Sequence, residues 1–281
     1  GSDVLKRVRP VFMYFATNGV HVPRFPHERV RGKSGMGLRG DAIVQFDWSV
    51  GEIMRTLERL GIADNTIILL TSDNGPVLDD GYQDQAATLN GDHTPWGPFR
   101  GGKYSAFEAG TRVPFIVSWK GTVTAGETSN ALISQIDLLA GSAALIETQV
   151  PLGAAMDSRN SLDTWLGRNH DDREFVVEMA ANRTLSLQSG RWKYIEPSNG
   201  AAKINSVNIE TGYLSTPQLY DLSKDPGETN NLYSSQPAEA DRLAIVLAEL
   251  RSAGIAKDTT YGCELVTPKR ENATRPAPYR K

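Results

Sequence analysis

Thr71-Ser72-Asp73-Asn74-Gly75 follows directly on the apolar run Thr66-Ile67-Ile68-Leu69-Leu70. Asp73 offers an anionic oxygen and Asn74 a neutral amide oxygen, ligand types that a hard cation such as calcium prefers. A β-branched apolar run closed by turn residues has the pattern of a buried strand in a parallel sheet. Ligand sites of open α/β sheets lie beyond the carboxyl ends of such strands. Asp-Asn-Gly is also common turn chemistry, because Asn and Gly tolerate positive φ; a plain turn and a metal or anion site are both open here. Arg100-Gly101-Gly102-Lys103 is the second candidate. Adjacent glycines let backbone approach a ligand closely, and the lysine can offer a point charge to an oxyanion. Its alternative is a flexible loop with a solvated lysine. His21 lies just past the end of a predicted strand, where it could donate to an anion or protonate a leaving group. A lone histidine is more often structural. His93 and Trp96, inside a long loop, are candidate substrate contacts, with packing on their own loop as the alternative.

The elements that must position these residues follow from periodicity. A strand is predicted over 10–16, with Val11, Phe12, Tyr14 and Phe15 as its apolar content. A turn-rich stretch with Gly32, Gly35, Gly37 and Gly40 precedes a helix over 41–60. There Ile43, Phe46, Val50, Ile53, Leu57 and Leu60 draw one apolar stripe, Asp41 is the expected N-cap and Gly61 the expected C-cap. Strand, helix and the run 66–70 together suggest a right-handed βαβ unit. The polar connection 76–103 is long for a compact domain, a length usually functional or disordered. A strand over 113–119 and a helix over 134–145 come next, and 151–173 is irregular enough to suggest a subdomain boundary. Short strands over 175–179, 184–188, 192–196 and 218–221 suggest an antiparallel meander. A last helix is expected over 237–253, with Pro237 in its first turn and Gly254 as its stop. The end, 263–281, is expected to run extended over the surface or to be mobile.

Composition sets modest limits. Lys plus Arg total 30 against 33 Asp plus Glu, so no basic excess argues for nucleic acid or an anionic membrane as partner. No stretch of 18 apolar residues marks a transmembrane helix. A single cysteine, Cys263, leaves no internal disulfide framework. The first residues lack the pattern of a signal peptide, and Gly1-Ser2 has the look of a cleaved expression tag.

Taken together these segments resemble the sulfatase family of the alkaline-phosphatase-like superfamily. The resemblance is carried by Val11-Phe12-Met13-Tyr14-Phe15 with His21-Val22-Pro23, by Gly40-Asp41 and Asp47-Trp48-Ser49-Val50-Gly51, and by the run from Asn65 to Gly75. Arg100-Gly101-Gly102-Lys103, Glu108-Ala109-Gly110 and Arg112-Val113-Pro114 continue it. So do Gly190-Arg191-Trp192-Lys193-Tyr194, Leu219-Tyr220-Asp221-Leu222 and the stretch from Asp225 to Leu232. The resemblance implies an α/β fold: the C-terminal part of a mixed or parallel sheet flanked by helices (3–160), a small antiparallel sheet with a C-terminal helix (170–256), and an extended tail (257–281). It implies that Asp73 and Asn74 are two ligands of an active-site calcium, that Lys103 holds a sulfate oxygen, and that His21 binds the sulfate or bridging oxygen and assists the leaving group. His93 and Arg100 are carried as substrate contacts. The physical sense is that a sulfate ester needs its equatorial charge neutralised and its leaving alkoxide stabilised.

Departures from the family are as informative. Its nucleophile is a formylglycine made from Cys or Ser within Cys/Ser-x-Pro/Ala-x-Arg, a motif this chain lacks, and the paired aspartates that complete the calcium site are missing too. The chain is therefore expected to be the C-terminal part of a sulfuric-ester hydrolase, binding calcium weakly and inactive alone. A missing sheet half would expose strand edges and favour self-association. Sulfated glycans and aryl sulfates are both open as substrates, and a periplasmic or secreted location is implied by resemblance only. A phosphodiesterase or phosphonate hydrolase of the same superfamily is the alternative enzyme. It is disfavoured because such sites are His-rich and only four His occur here. A non-catalytic binding module that keeps the fold is the alternative from another class.

Overall fold

A computed structural model describes residues 10–151, 153–170 and 173–253. Its helices in chain order are α1 (Gly37–Arg59), α2 (Ala86–Leu89), α3 (Glu108–Thr111), α4 (Leu138–Leu145), α5 (Leu162–Trp165) and α6 (Pro237–Ala253). The strands are β1 (Ile68–Thr71), β2 (Phe115–Ser118), β3 (Val176–Met179), β4 (Leu185–Ser189), β5 (Trp192–Ile195), β6 (Lys203–Ile204), β7 (Ile209–Glu210) and β8 (Gln218–Asp221). The tail 257–281 and Cys263 lie outside the described residues. No described helix is long and apolar enough to cross a membrane.

Helix α1 starts four residues before Asp41, the expected N-cap. Asp41 instead caps the loop that leads into the helix. Its Oδ2 accepts from the Gly32 N–H at 2.7 Å and its Oδ1 from the Ser34 N–H and hydroxyl at 3.0 and 2.7 Å. Burial alone would raise this carboxyl, but the bonds from Ser34 and Gly32 hold it below the usual range. At the other end Gly61 takes φ +68° as expected, in the left-handed conformation common past a helix end.

The expected βαβ unit does not form. Segment 10–16 is not a strand, and Val11 and Phe12 are 88% and 85% exposed. The run 66–71 does end in a strand, but β1 pairs antiparallel with β2, Leu69 opposite Val117 and Leu70 opposite Ile116, and its residues are half-buried rather than buried. Apolar periodicity reports which side chains seek cover. It does not name the backbone partner, and a strand exists only where one is supplied.

The C-terminal expectation is met. Strands β3, β4, β5 and β8 form an antiparallel sheet in that order. Successive strand residues face opposite sides, and both sides are covered. Leu185, Leu187, Tyr194 and Leu219 pack with Ala240, Leu243 and Leu247 of α6. On the other face Ile195 and Tyr220 pack against Ala106 and Phe107, just before α3. Glu178 and Lys193 belong to that second face, which is why a fully buried ammonium can reach Glu108. The irregular stretch before the sheet is tied to α4 by Asp137. This buried carboxylate accepts from Arg173, Ser161 and the Arg159 N–H.

Candidate active site

Two short backbone bonds bring the strand end and the glycine loop together. The Gly75 N–H donates to the Gly110 carbonyl at 2.9 Å, and the Lys103 N–H donates to the Pro76 carbonyl at 3.0 Å. Glycine is required on both sides: a Cβ on Gly75 would fall 1.6 Å from the Ala109 carbonyl oxygen, and one on Gly102 would fall 2.6 Å from that of Pro76. The Gly101-Gly102 pair therefore serves a close approach of backbone to backbone. Asp73 and Asn74 sit two residues and one residue before Gly75, beside the loop that carries Lys103.

Lys103 does not stand alone. Its Nζ donates to Asp80 Oδ2 at 2.7 Å and lies 3.2 Å from His21 Nε2. His21 Nδ1 is 2.7 Å from the Val22 carbonyl; that contact places a proton on Nδ1, so Nε2 is an acceptor in the neutral ring and a donor in the imidazolium. The Tyr104 hydroxyl donates to Asp80 Oδ1 at 2.6 Å. Burial alone would raise the Asp80 carboxyl, yet bonds from Lys103 and Tyr104 hold it below its ordinary range. Burial alone would lower the Lys103 ammonium, yet Asp80 holds it above. Tyr104 has φ +83°, an unusual conformation for a non-glycine residue, and it lets consecutive side chains, Lys103 and Tyr104, meet one carboxylate. Its carbonyl is held from the C-terminal sheet side by the Tyr213 hydroxyl at 2.9 Å and the Ala181 N–H at 3.2 Å.

Arg24 fixes the two loops that supply His21 and Asp80. Its Nε donates to the Val20 carbonyl at 2.8 Å, its Nη1 to Asp84 at 2.9 Å, and its Nη2 to the Leu78 carbonyl at 3.0 Å. Arg24 and Asp84 are both almost fully buried.

The remaining sequence-derived candidates lie as follows. Asp73 is exposed, and its Oδ1 accepts from the Asn74 N–H at 3.0 Å. Two oxygens with one charge fall well short of the six to eight that calcium takes. Among the described residues no group of three or more His, Cys, Asp or Glu side chains is placed to hold a metal. His93 is exposed in its loop, where its N–H and carbonyl bond Asn90. Arg100 is a clamp between chain segments: bidentate to Glu210 at 2.9 Å, bonded to the Glu228 carbonyl at 2.8 Å, and stacked 4.2 Å over the Phe107 ring. The cluster at Asp80 contains neither His93 nor Arg100. Sequence reasoning overlooked Asp80, Tyr104 and Arg24. The long polar loop 76–103 was a signal for Asp80, but nothing local singled it out from Asp79 and Asp84.

Known proteins resemble this chain over most of its length. The family model described as Sulfatase matches residues 2–148. The chain is 51% identical over 250 residues to the N-acetylgalactosamine-6-O-sulfatase of Bacteroides thetaiotaomicron, covering 89% of this chain and 48% of that protein. It is 33% identical over 247 residues to human N-acetylgalactosamine-6-sulfatase, covering 80% of this chain and 45% of that one. A solved structure from the metabolism of multiple glycosaminoglycans by Bacteroides thetaiotaomicron, designated 6S-sulf, superposes with a TM-score of 0.81 at 51% identity. That match covers 84% of this chain and 49% of the solved one. The chain thus spans about half the length of the curated relatives it matches.

Proposed function

Because this chain belongs to the sulfatase family and has its α/β, alkaline-phosphatase-like fold, we propose that it is the C-terminal part of a sulfuric-ester hydrolase acting on sulfated glycans. The observation that carries this reading is the meeting of Lys103 Nζ and His21 Nε2, 3.2 Å apart, on a loop bonded to the segment after Asp73 and Asn74. In it Lys103 neutralises a sulfate oxygen and His21 serves the bridging oxygen, where charge develops as the S–O bond breaks. The two N-acetylgalactosamine-6-sulfatase relatives support a 6-O-sulfated N-acetylgalactosamine residue as the substrate unit over an aryl sulfate. Asp73 and Asn74 are proposed as two ligands of a calcium ion whose other ligands, like the formylglycine, come from a preceding half. A family habit of export supports a periplasmic or secreted location.

Titration of the chain with inorganic sulfate, read by NMR at the Lys103 and Tyr104 amides, tests the sulfate site. The expected result is a saturable shift, weakened about tenfold or more by Lys103→Ala through loss of a charge-assisted bond. Absence of a shift overturns the reading. Against a chromogenic aryl sulfate the chain alone is expected to show no turnover. Turnover that survives both Asp73→Ala and further purification would sink the half-site proposal. The exposed Val11, Phe12 and Tyr14 and the open edges of the β1–β2 pair are expected to drive self-association. Light scattering across a concentration series checks this, and a strictly monomeric species at all concentrations contradicts it.

A further inference from the structure

We propose that Asp80 is a specificity-determining residue that accepts a hydrogen bond from a hydroxyl of the sugar ring carrying the sulfate, selecting sulfated saccharides over sulfate esters without neighbouring hydroxyls. This rests on the sulfate-site reading above. A carboxylate 2.7 Å from Lys103 Nζ is at first sight misplaced in an anion site, since it repels the sulfate that Lys103 is to hold. Its geometry gives it another task. A carboxylate has about four acceptor positions. Asp80 spends one on Lys103 and one on Tyr104, and His21 Nε2, at 3.6 Å, lies beyond hydrogen-bonding distance. Two positions remain. Lys103 in turn has used two of its three ammonium hydrogens on Asp80 and His21, which leaves one for a sulfate oxygen. Anion-binding donor and hydroxyl-binding acceptor therefore lie side by side. They match the sulfate and the adjacent hydroxyls of one sugar ring.

The arrangement is built rather than incidental. The Asp80 side chain is only 13% exposed, and the loop that carries it is fastened to the His21 loop by the buried Arg24–Asp84 pair. Tyr104 is held in the left-handed conformation that aims its hydroxyl at Asp80, a strained state that persists only where surroundings enforce it. Next to Asp80, the Oδ1 of Asp79 is enclosed without a hydrogen-bond partner among the described residues.

The test compares the chain with Asp80→Ala and Asp80→Leu, neither of which keeps a side-chain acceptor, against three probes: inorganic sulfate, a 6-O-sulfated hexosamine and the unsulfated hexosamine. NMR titration at the Lys103 and Tyr104 amides supplies the dissociation constants. Opposite responses are expected. Loss of the carboxylate tightens inorganic sulfate about two- to fivefold by removing a repelling charge, and weakens the sulfated hexosamine about tenfold or more by removing its acceptor. Equal changes for the two sulfated probes, in either direction, would overturn the proposal, because a carboxylate that only positions Lys103 affects both alike. If inorganic sulfate shifts nothing in the unaltered chain, the sulfate-site reading fails. The unsulfated hexosamine then decides alone: binding that both substitutions abolish supports Asp80, and absent or unchanged binding overturns it.

Discussion

Replacement of Lys193 by methionine is expected to destabilise the chain by about 3–5 kcal/mol, the usual cost of removing one partner from a buried ion pair. Lys193 is fully buried and its Nζ donates to Glu108 and Glu178 at 2.8 Å each. Burial alone would lower its pKa, but the surrounding carboxylates hold it well above the ordinary lysine value. Without the ammonium, two carboxylates would face each other in an enclosed space. The loss would be felt at the candidate site, because Glu108 opens α3 only five residues after Lys103. Urea denaturation measures the effect, and a change under 1 kcal/mol would refute the account. Adding Glu178→Gln to Lys193→Met should recover part of the loss, since the two groups share one network.

The same cluster makes a pH prediction. Glu228 is fully buried, accepts from the Glu108 N–H at 2.7 Å through Oε2, and leaves Oε1 without a partner among the described residues. Burial pushes its carboxyl from the ordinary 4.5 up to about 8, against the pull of Lys193 and with Glu108 and Glu178 adding repulsion. Arg100, bonded to its carbonyl, and the nearby Tyr220 complete its charged and titratable surroundings. The folded state therefore holds this proton more tightly than the unfolded state. By linkage the stabilisation is full below about 4.5 and is lost as pH rises through about 8. Glu228→Gln keeps an acceptor for the Glu108 N–H and cannot ionise. Its stability is expected to stay level over that window and to exceed that of the parent chain at pH 9. An equal decline in both proteins would show that another group governs the slope.

What could be read in the sequence divides along a physical line. Helix α6 was expected over 237–253 and spans Pro237–Ala253, because Pro237 and a regular apolar stripe are local signals. The meander of β3, β4, β5 and β8 was legible for the same reason. The start of α1 was misread: an aspartate at a helix start looks like a cap for its own helix, while Asp41 caps the loop before it. Partners distant in the chain were not legible at all. Glu210, which holds Arg100, is 110 residues away, and nothing near Arg100 announces it. Asp80 was hidden because its meaning depends on the backbone of Tyr104, and only glycine reliably signals positive φ in a sequence.

Gly75→Ala is expected to cost about 1–3 kcal/mol or more and to disable the site, because its methyl has nowhere to go. The added Cβ would lie 1.6 Å from the Ala109 carbonyl oxygen and 2.7 Å from its carbon, both backbone atoms that a rotamer change cannot clear. The segment after β1 and helix α3 must separate instead. That would break the bond from the Gly75 N–H to Gly110 and strain the neighbouring bond from Lys103 to Pro76. Asp73 and Asn74 are on one side of this seam and Lys103 is on the other, so the halves of the site would part. Two readouts should change together: the urea midpoint falls, and the sulfate-dependent shift of the Lys103 amide weakens. Gly61→Ala is the control. Gly61 takes φ +68° with nothing within 4 Å of an added Cβ, so only backbone strain of about 1 kcal/mol applies. Its sulfate response should be that of the unaltered chain. A Gly75→Ala chain with full stability and full sulfate response would mean that Lys103 does not need the strand end, and the link between the calcium-type ligands and the sulfate lysine would dissolve.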